Sequence, residues 1–170
     1  MNERSEVLLI GGRAGVGKTS VALTMHWRLA ERGVKHAVIE GDNLDQAHPP
    51  PWEHGLAEQN LSAMWGNYRA LGYRRLIYTN TVSVLYAETL AAAMGDDPLV
   101  KAVLLSASDQ TAAVRLGGRE SVTTLGSHLA RSRERAAELA KTPPWVWRID
   151  TDGKDVPAVA GEILGRLGWP

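Results

Sequence analysis

The sequence predicts an α/β protein, a three-layer α/β/α sandwich on a five-stranded parallel sheet. Three observations predict it. Short apolar runs alternate with longer helical segments along the chain, which is the pattern of strands buried on both faces by crossover helices. A glycine-rich stretch, Gly12–Thr19, lies where the first apolar run gives way to the first amphipathic one. The chain has 170 residues, which suits one domain (1–170) with a core of its own.

The elements follow in order. Val7–Ile10 reads as a buried strand ending at Gly11-Gly12, and Thr19–Arg32 as a helix with Val21, Met25 and Leu29 at four-residue spacing and Gly33 at its end. His36–Glu40 is the second strand. Pro49-Pro50-Pro51 then excludes helix interior and demands an extended connector. Gly55–Leu71 reads as helix, Arg75–Thr79 as the third strand, Val82–Met94 as helix, and Lys101–Leu105 as the fourth strand. Thr111–Leu116 and Gly126–Lys141 read as helices separated by Gly117-Gly118, with Pro143-Pro144 as the stop. Trp145–Ile149 is the fifth strand and Val156–Leu167 the last helix.

Gly12-Arg13-Ala14-Gly15-Val16-Gly17-Lys18-Thr19 satisfies G-x-x-x-x-G-K-[ST] at every fixed position, between a strand and a helix as the motif requires. Glycines permit positive φ and let successive N–H groups converge on phosphate oxygens, while the following helix adds its N-terminal dipole. This is a P-loop, and the fold is that of the P-loop NTPases. Lys18 is expected on the β- and γ-phosphates and Thr19 on Mg²⁺, with Ser20 completing the nucleotide-binding set that begins at Gly12.

Asp42 ends the second strand, the edge at which ligands bind in a doubly wound sheet. A carboxylate there is suited to accept the proton of an attacking hydroxyl or to orient it. Gly-Asp-Asn is also good turn chemistry. Asn80 ends the third strand, where many P-loop ATPases carry a magnesium-organising Asp, so a hydrolase dependent on that Asp is disfavoured. Asn80 either contacts substrate or a metal-bound water, or closes a turn; the sequence leaves both open.

The P-loop, Glu40-Gly41-Asp42-Asn43 and the pair Arg115 and Arg119 together resemble the small-molecule kinases of the nucleoside-monophosphate-kinase-like group. That group includes gluconate, shikimate and adenylylsulfate kinases and chloramphenicol phosphotransferase. Gly41-Asp42-Asn43-Leu44 with His48-Pro49 is closest to the gluconate and adenylylsulfate types. The resemblance implies a cytoplasmic, ATP- and Mg²⁺-dependent phosphotransferase acting on a hydroxyl of a small-molecule acceptor. It implies a lid over residues 111–135, with Arg115 stacked on adenine, Arg119 reaching phosphate and Gly117-Gly118 as hinge. It also places the purine edge against Thr151-Asp152-Gly153-Lys154, chiefly its backbone and hence Gly153, and the acceptor against residues 43–75.

That acceptor region holds His48, Trp52, His54, Trp65, Tyr68, Arg69, Tyr73, Arg74 and Arg75 in a chain without Phe. An aromatic-walled pocket is one reading; anchoring of a helix by Trp65 and Tyr68 is the other. An anionic acceptor would call on Arg69 or Arg74. Arg131, Arg133 and Arg135 read as a solvated helix face with Glu134 and Glu138 as partners. Charge excludes more than it assigns: 19 basic residues balance 19 acidic ones, which is not the footprint of a nucleic-acid binder. There is no cysteine for a disulfide or thiolate site, and no run of about 20 apolar residues for a membrane span. A monomer or homodimer is expected. A second reading keeps the same fold but makes it a nucleotide-dependent switch, hydrolysing slowly and acting through a protein partner.

Overall fold

The computed structural model describes residues 4–118 and 122–170. Five strands form one parallel sheet: β1 (Glu6–Gly11), β2 (Ala37–Glu40), β3 (Arg75–Thr79), β4 (Leu99–Ser106) and β5 (Trp147–Asp150), in the order β2-β3-β1-β4-β5. Six helices connect and cover them: α1 (Lys18–Glu31), α2 (Leu56–Ala70), α3 (Ala87–Met94), α4 (Asp109–Gly117), α5 (Val122–Leu139) and α6 (Val156–Leu167). The expected sandwich is present.

Each strand sends alternate side chains to opposite faces, and both faces are apolar because both are covered. Leu8, Ile10, Ile77, Val103, Leu105 and Ile149 pack under α1 and α6 with Val21, Met25, Leu29, Ile163 and Leu167. Val7, Leu9, Leu76, Tyr78, Ala102 and Leu104 form the other core with Leu61, Trp65, Leu90, Met94 and Leu139. Trp65 is completely buried and its indole N–H donates to Asp96 at 3.2 Å, so it anchors α2. Among the described residues, no helix is long and apolar enough to cross a membrane.

Several boundaries differ from expectation. The segment read as one helix from Val82 is a 3-10 turn, Ser83–Leu85, followed by α3. The Ser83 amide bonds to the Asn80 carbonyl and the Val82 amide to the Asn80 side chain, which keeps the first turn tight. β5 begins at Trp147, because Val146 N–H closes a turn back on Pro143 and leaves Trp145 half exposed. The Gly41–Leu44 stretch is itself a 3-10 turn. α4 reaches Gly117 and Gly118 keeps a right-handed conformation, so neither glycine breaks the helix by a left-handed turn.

Register fixes what this scaffold presents. Ile10 pairs with Thr79, Glu40 with Thr79, Gly11 with Leu104 and Ser106 with Asp150, so all five strands end along one edge. β1 is central, with connections leaving to both sides, and that is where a doubly wound sheet opens a crevice.

Candidate active site

The loop between β1 and α1 wraps that crevice with Gly12, Gly15 and Gly17 at φ of 147°, 88° and 94°. Gly12 has a second reason to lack a side chain: a Cβ there would lie 2.6 Å from the Leu105 carbonyl oxygen and 2.8 Å from Val16. A Cβ on Gly15 would lie 3.0 Å from the Ala112 carbonyl oxygen. The loop is thus pressed against β4 and α4 while its amides remain available to an anion.

Lys18 Nζ donates to the carbonyls of Gly12 at 2.8 Å and Arg13 at 3.3 Å, which holds the ammonium over the loop. The Thr19 hydroxyl donates to Glu40 Oε2 at 2.9 Å. Its oxygen lone pairs stay available to a hard cation, with the Glu40 carboxylate behind them, so the residues present fit Mg²⁺ at Thr19. Sequence reasoning passed over Glu40; its signal was the position directly before Gly41-Asp42, at the end of a strand neighbouring the P-loop.

Arg13, expected in the nucleotide set, presents only backbone to the loop. Its guanidinium is 4% exposed, with Nε donating to Ser132 Oγ at 2.8 Å and Nη1 paired to Asp109. Ser132 Oγ in turn donates to the Ala14 carbonyl at 3.2 Å. The P-loop is therefore tied to the first residue of α4 and to the middle of α5. Nothing in the motif announces this, because x positions carry no side-chain rule.

Arg115, from α4, reaches across the loop. It donates to the carbonyls of Gly15 at 3.3 Å and Val16 at 3.4 Å, and to Thr151 at 2.9 Å through its hydroxyl and 3.1 Å through its carbonyl. Together with Gly15, Gly17, Ser20, Thr151 and Lys154 it lines a cavity of about 380 Å³ between the P-loop and the start of α6. Gly153 sits in the turn before that helix at φ 69°. Arg119, the expected second lid arginine, lies outside the described residues, as does Glu120.

A second cavity, about 550 Å³, opens on the other side of Ala14 and is lined by Asp42, Asp45, Trp52, Asn80, Arg131 and Arg135 among others. Asp42 and Asn80 meet there, the Asn80 amide donating to Asp42 Oδ1 at 2.7 Å. Asn80 thus both orients Asp42 through its side-chain NH2 and, through its side-chain oxygen, accepts the Val82 amide at 3.0 Å. The Asp42 carboxylate is open to the cavity on one side and crowded by protein on the other. That partial desolvation raises its pKa above the ordinary value, against the pull of Lys18; Glu40 and Asp45 add to the rise and the Asn80 hydrogen bond opposes it.

Other expected acceptor residues lie elsewhere. Arg69 pairs with the buried carboxylate of Asp96 at 2.9 Å, and Arg74 donates to the carbonyls of Arg69 and Tyr73 at 3.1 and 2.7 Å, so both brace α2 and the turn after it. Trp65 is core, and Tyr68 stacks edge-on against Tyr73 on the same side. Of the four aromatics in 43–75, Trp52 alone lines the cavity. Arg133 does pair at the surface, with Asp109 at 3.2 Å, and Arg135 with Glu138. Arg131 and Arg135 nevertheless line the Asp42 cavity, which corrects their reading as a merely solvated face. Four-residue spacing on α5 was the available signal.

No protein-family model matches the chain, and no curated protein matches it in sequence. Solved structures do. The tunicamycin resistance protein of Deinococcus radiodurans is 26% identical over 98% of each chain, with a TM-score of 0.69. The APS kinase of Mycobacterium tuberculosis, in complex with AMPPNP and APS, is 19% identical with a TM-score of 0.61, over 96% of this chain and 98% of that one. A gluconokinase from Sinorhizobium meliloti is 19% identical with a TM-score of 0.59, over 97% and 95%. The chain carries the fold of the P-loop small-molecule kinases over essentially its whole length.

Proposed function

We propose that the protein is an ATP- and Mg²⁺-dependent phosphotransferase that moves the γ-phosphoryl group to a hydroxyl of a small molecule. The observation that carries this reading is the pair of cavities on either side of the P-loop, with Asp42 held by Asn80 in the one that Arg115 does not line. A nucleotide fits the Arg115 side and an acceptor the Asp42 side, with Lys18 and the loop amides between them on the phosphates.

In this reading the acceptor oxygen forms its bond to phosphorus as the bond from phosphorus to the β,γ-bridging oxygen breaks, and ADP leaves. The hydroxyl proton passes to an Asp42 carboxylate oxygen. Lys18 balances the phosphate charge, and Arg115 holds the nucleotide against the β5–α6 turn. Thr19 would hold Mg²⁺, which when bound neutralises phosphate charge. Positioning supplies much of the acceleration, because a loose phosphoryl transition state leaves little covalent chemistry for the protein.

The test is ADP release by wild type and Asp42→Asn over pooled nucleosides, nucleotides, sugars, sugar acids and hydroxylated antibiotics. The expected result is acceptor-stimulated turnover that the substitution lowers by ~10²–10⁴-fold while KM for ATP holds. ATP binding without stimulation by any pool would instead favour the nucleotide-dependent switch.

A further inference from the structure

At the pole where the strands begin, a cavity of about 270 Å³ is lined by Arg4, Glu6, Arg74 and Arg75. Glu6 opens β1 and lies beside Arg75, the first residue of β3, in the parallel register. β1 is six residues long and the P-loop follows its far end, so the cavity stands roughly 15–20 Å from the phosphate loop.

The charges around it do not balance. Glu6 Oε2 accepts from Lys101 Nζ at 3.2 Å and from the Trp169 indole N–H at 3.1 Å, so this carboxylate already has its cation. Arg4 is paired with Asp97 at 2.9 Å. Among the described residues Arg74 and Arg75 have no carboxylate partner. Arg74 donates through Nη1 to the carbonyls of Arg69 and Tyr73. Arg75 Nε is sealed from solvent and has no hydrogen-bond partner among the described residues. Four cations thus face two carboxylates, and the excess of two positive charges falls on Arg74 and Arg75. The chain as a whole is neutral, with 19 basic and 19 acidic residues, so this excess is local.

Two guanidiniums adjacent in sequence repel each other, and an orphaned buried N–H costs the desolvation of that group. An oxyanion with two negative charges answers both, because guanidinium forks pair with its oxygens and the charges cancel. A monoanion leaves one positive charge unmatched. We propose that this cavity binds a dianionic phosphate group, either free phosphate or the phosphoryl end of a small metabolite, between Arg74 and Arg75. The site is separate from the P-loop and does not rest on the phosphotransferase reading.

The P-loop also attracts phosphate, so the test keeps AMPPNP and Mg²⁺ at saturation and reads a local signal. Methyl phosphate (a dianion at pH 7.5), dimethyl phosphate (a monoanion) and trimethyl phosphate (neutral) are titrated at constant ionic strength. The ¹H–¹⁵N resonances of Arg75 Nε–H and of the Trp169 indole, whose partner Glu6 lines the cavity, are followed. Methyl phosphate is expected to shift both saturably, dimethyl phosphate far more weakly and trimethyl phosphate not at all. Arg75→Gln raises the Kd read at Trp169 by about 10–100-fold, the loss of one charge-assisted hydrogen bond, and Arg75→Lys recovers part of it. Arg131→Gln, in the Asp42 cavity, leaves that Kd unchanged, and an unaltered AMPPNP affinity certifies the fold of each variant. Inorganic phosphate titrated in parallel names the source: tighter binding than methyl phosphate points to the free ion, weaker binding to a phosphorylated metabolite. Equal shifts with all three esters, shifts confined to other indoles, or a Kd that Arg75→Gln does not change overturns the inference.

Discussion

Asp42, the proposed proton acceptor, sets that role against stability. Its carboxyl binds a proton more tightly in the folded chain than in the unfolded one, because burial penalises the charge. The stability this group contributes is present in acid, below the unfolded value, and is lost as pH rises through the raised folded value. At neutral pH the ionised side chain is therefore a net burden on the fold. Asp42→Asn keeps an oxygen for the Asn80 amide and removes the charge, so its melting temperature should exceed that of wild type at pH 7 and converge with it at low pH. A melt series from pH 4 to 8 checks this; a substitution that destabilises at pH 7 would sink it. With Asp42 as the proposed base, the acid limb of kcat/KM in wild type is expected above the usual aspartate value, since a base acts only when ionised. Gly41 next to it needs space more than freedom of φ. A Cβ there would stand 2.5 Å from Tyr78 Cζ and 2.9 Å from the Thr79 carbonyl oxygen. Gly41→Ala is expected to cost ~1–3 kcal/mol by overpacking and to lower turnover by displacing Asp42, read by denaturant titration alongside steady-state kinetics.

At the level of elements, the P-loop is braced from outside itself. Arg13 fastens it to α4 and α5, and Arg115 fastens α4 back onto the loop and the β5–α6 turn. Movement of α4 and α5 therefore cannot leave the loop untouched. Arg115→Ala removes hydrogen bonds to Gly15, Val16 and Thr151 and one wall of the cavity proposed for the nucleotide. KM for ATP should rise by about 10–100-fold, with the acceptor KM much less affected. Equal changes in both would mean that Arg115 works only by holding the fold. The N-terminus of α4 is capped locally, Ser108 accepting the Thr111 amide at 3.2 Å, so the helix itself should survive the substitution.

For the whole molecule, ligand and stability are linked. A nucleotide that binds the assembled loop and not the unfolded chain stabilises by about 2.7 kcal/mol at a hundred times its Kd, worth roughly 5–11 °C in melting temperature for a chain of this size. ATP with Mg²⁺ should raise the melting temperature by that order, a chelator should remove part of the gain, and Lys18→Ala should abolish most of it. No shift with nucleotide at saturating concentration would contradict the nucleotide site itself.

The sequence by itself determined the layered parallel fold, the P-loop and the place of Asp42. These are local in their physics: period-2 and period-3.6 apolar patterns choose strand and helix, and G-x-x-x-x-G-K-T needs only its own glycines and the helix behind it. Arg115 was legible only through resemblance. What the tertiary structure decided is which distant side chains share a cavity. Arg69 and Arg131 look alike in sequence, each an arginine on an amphipathic helix, yet one is spent on Asp96 in the core and the other lines the Asp42 cavity. The same holds for Trp65 and Trp52, one sealed in the interior and one at the cavity rim. Charge pairing and desolvation depend on separation in space, and residues more than a hundred positions apart, such as Arg13 and Ser132, acquire that separation only when the sheet brings its strand ends to one edge.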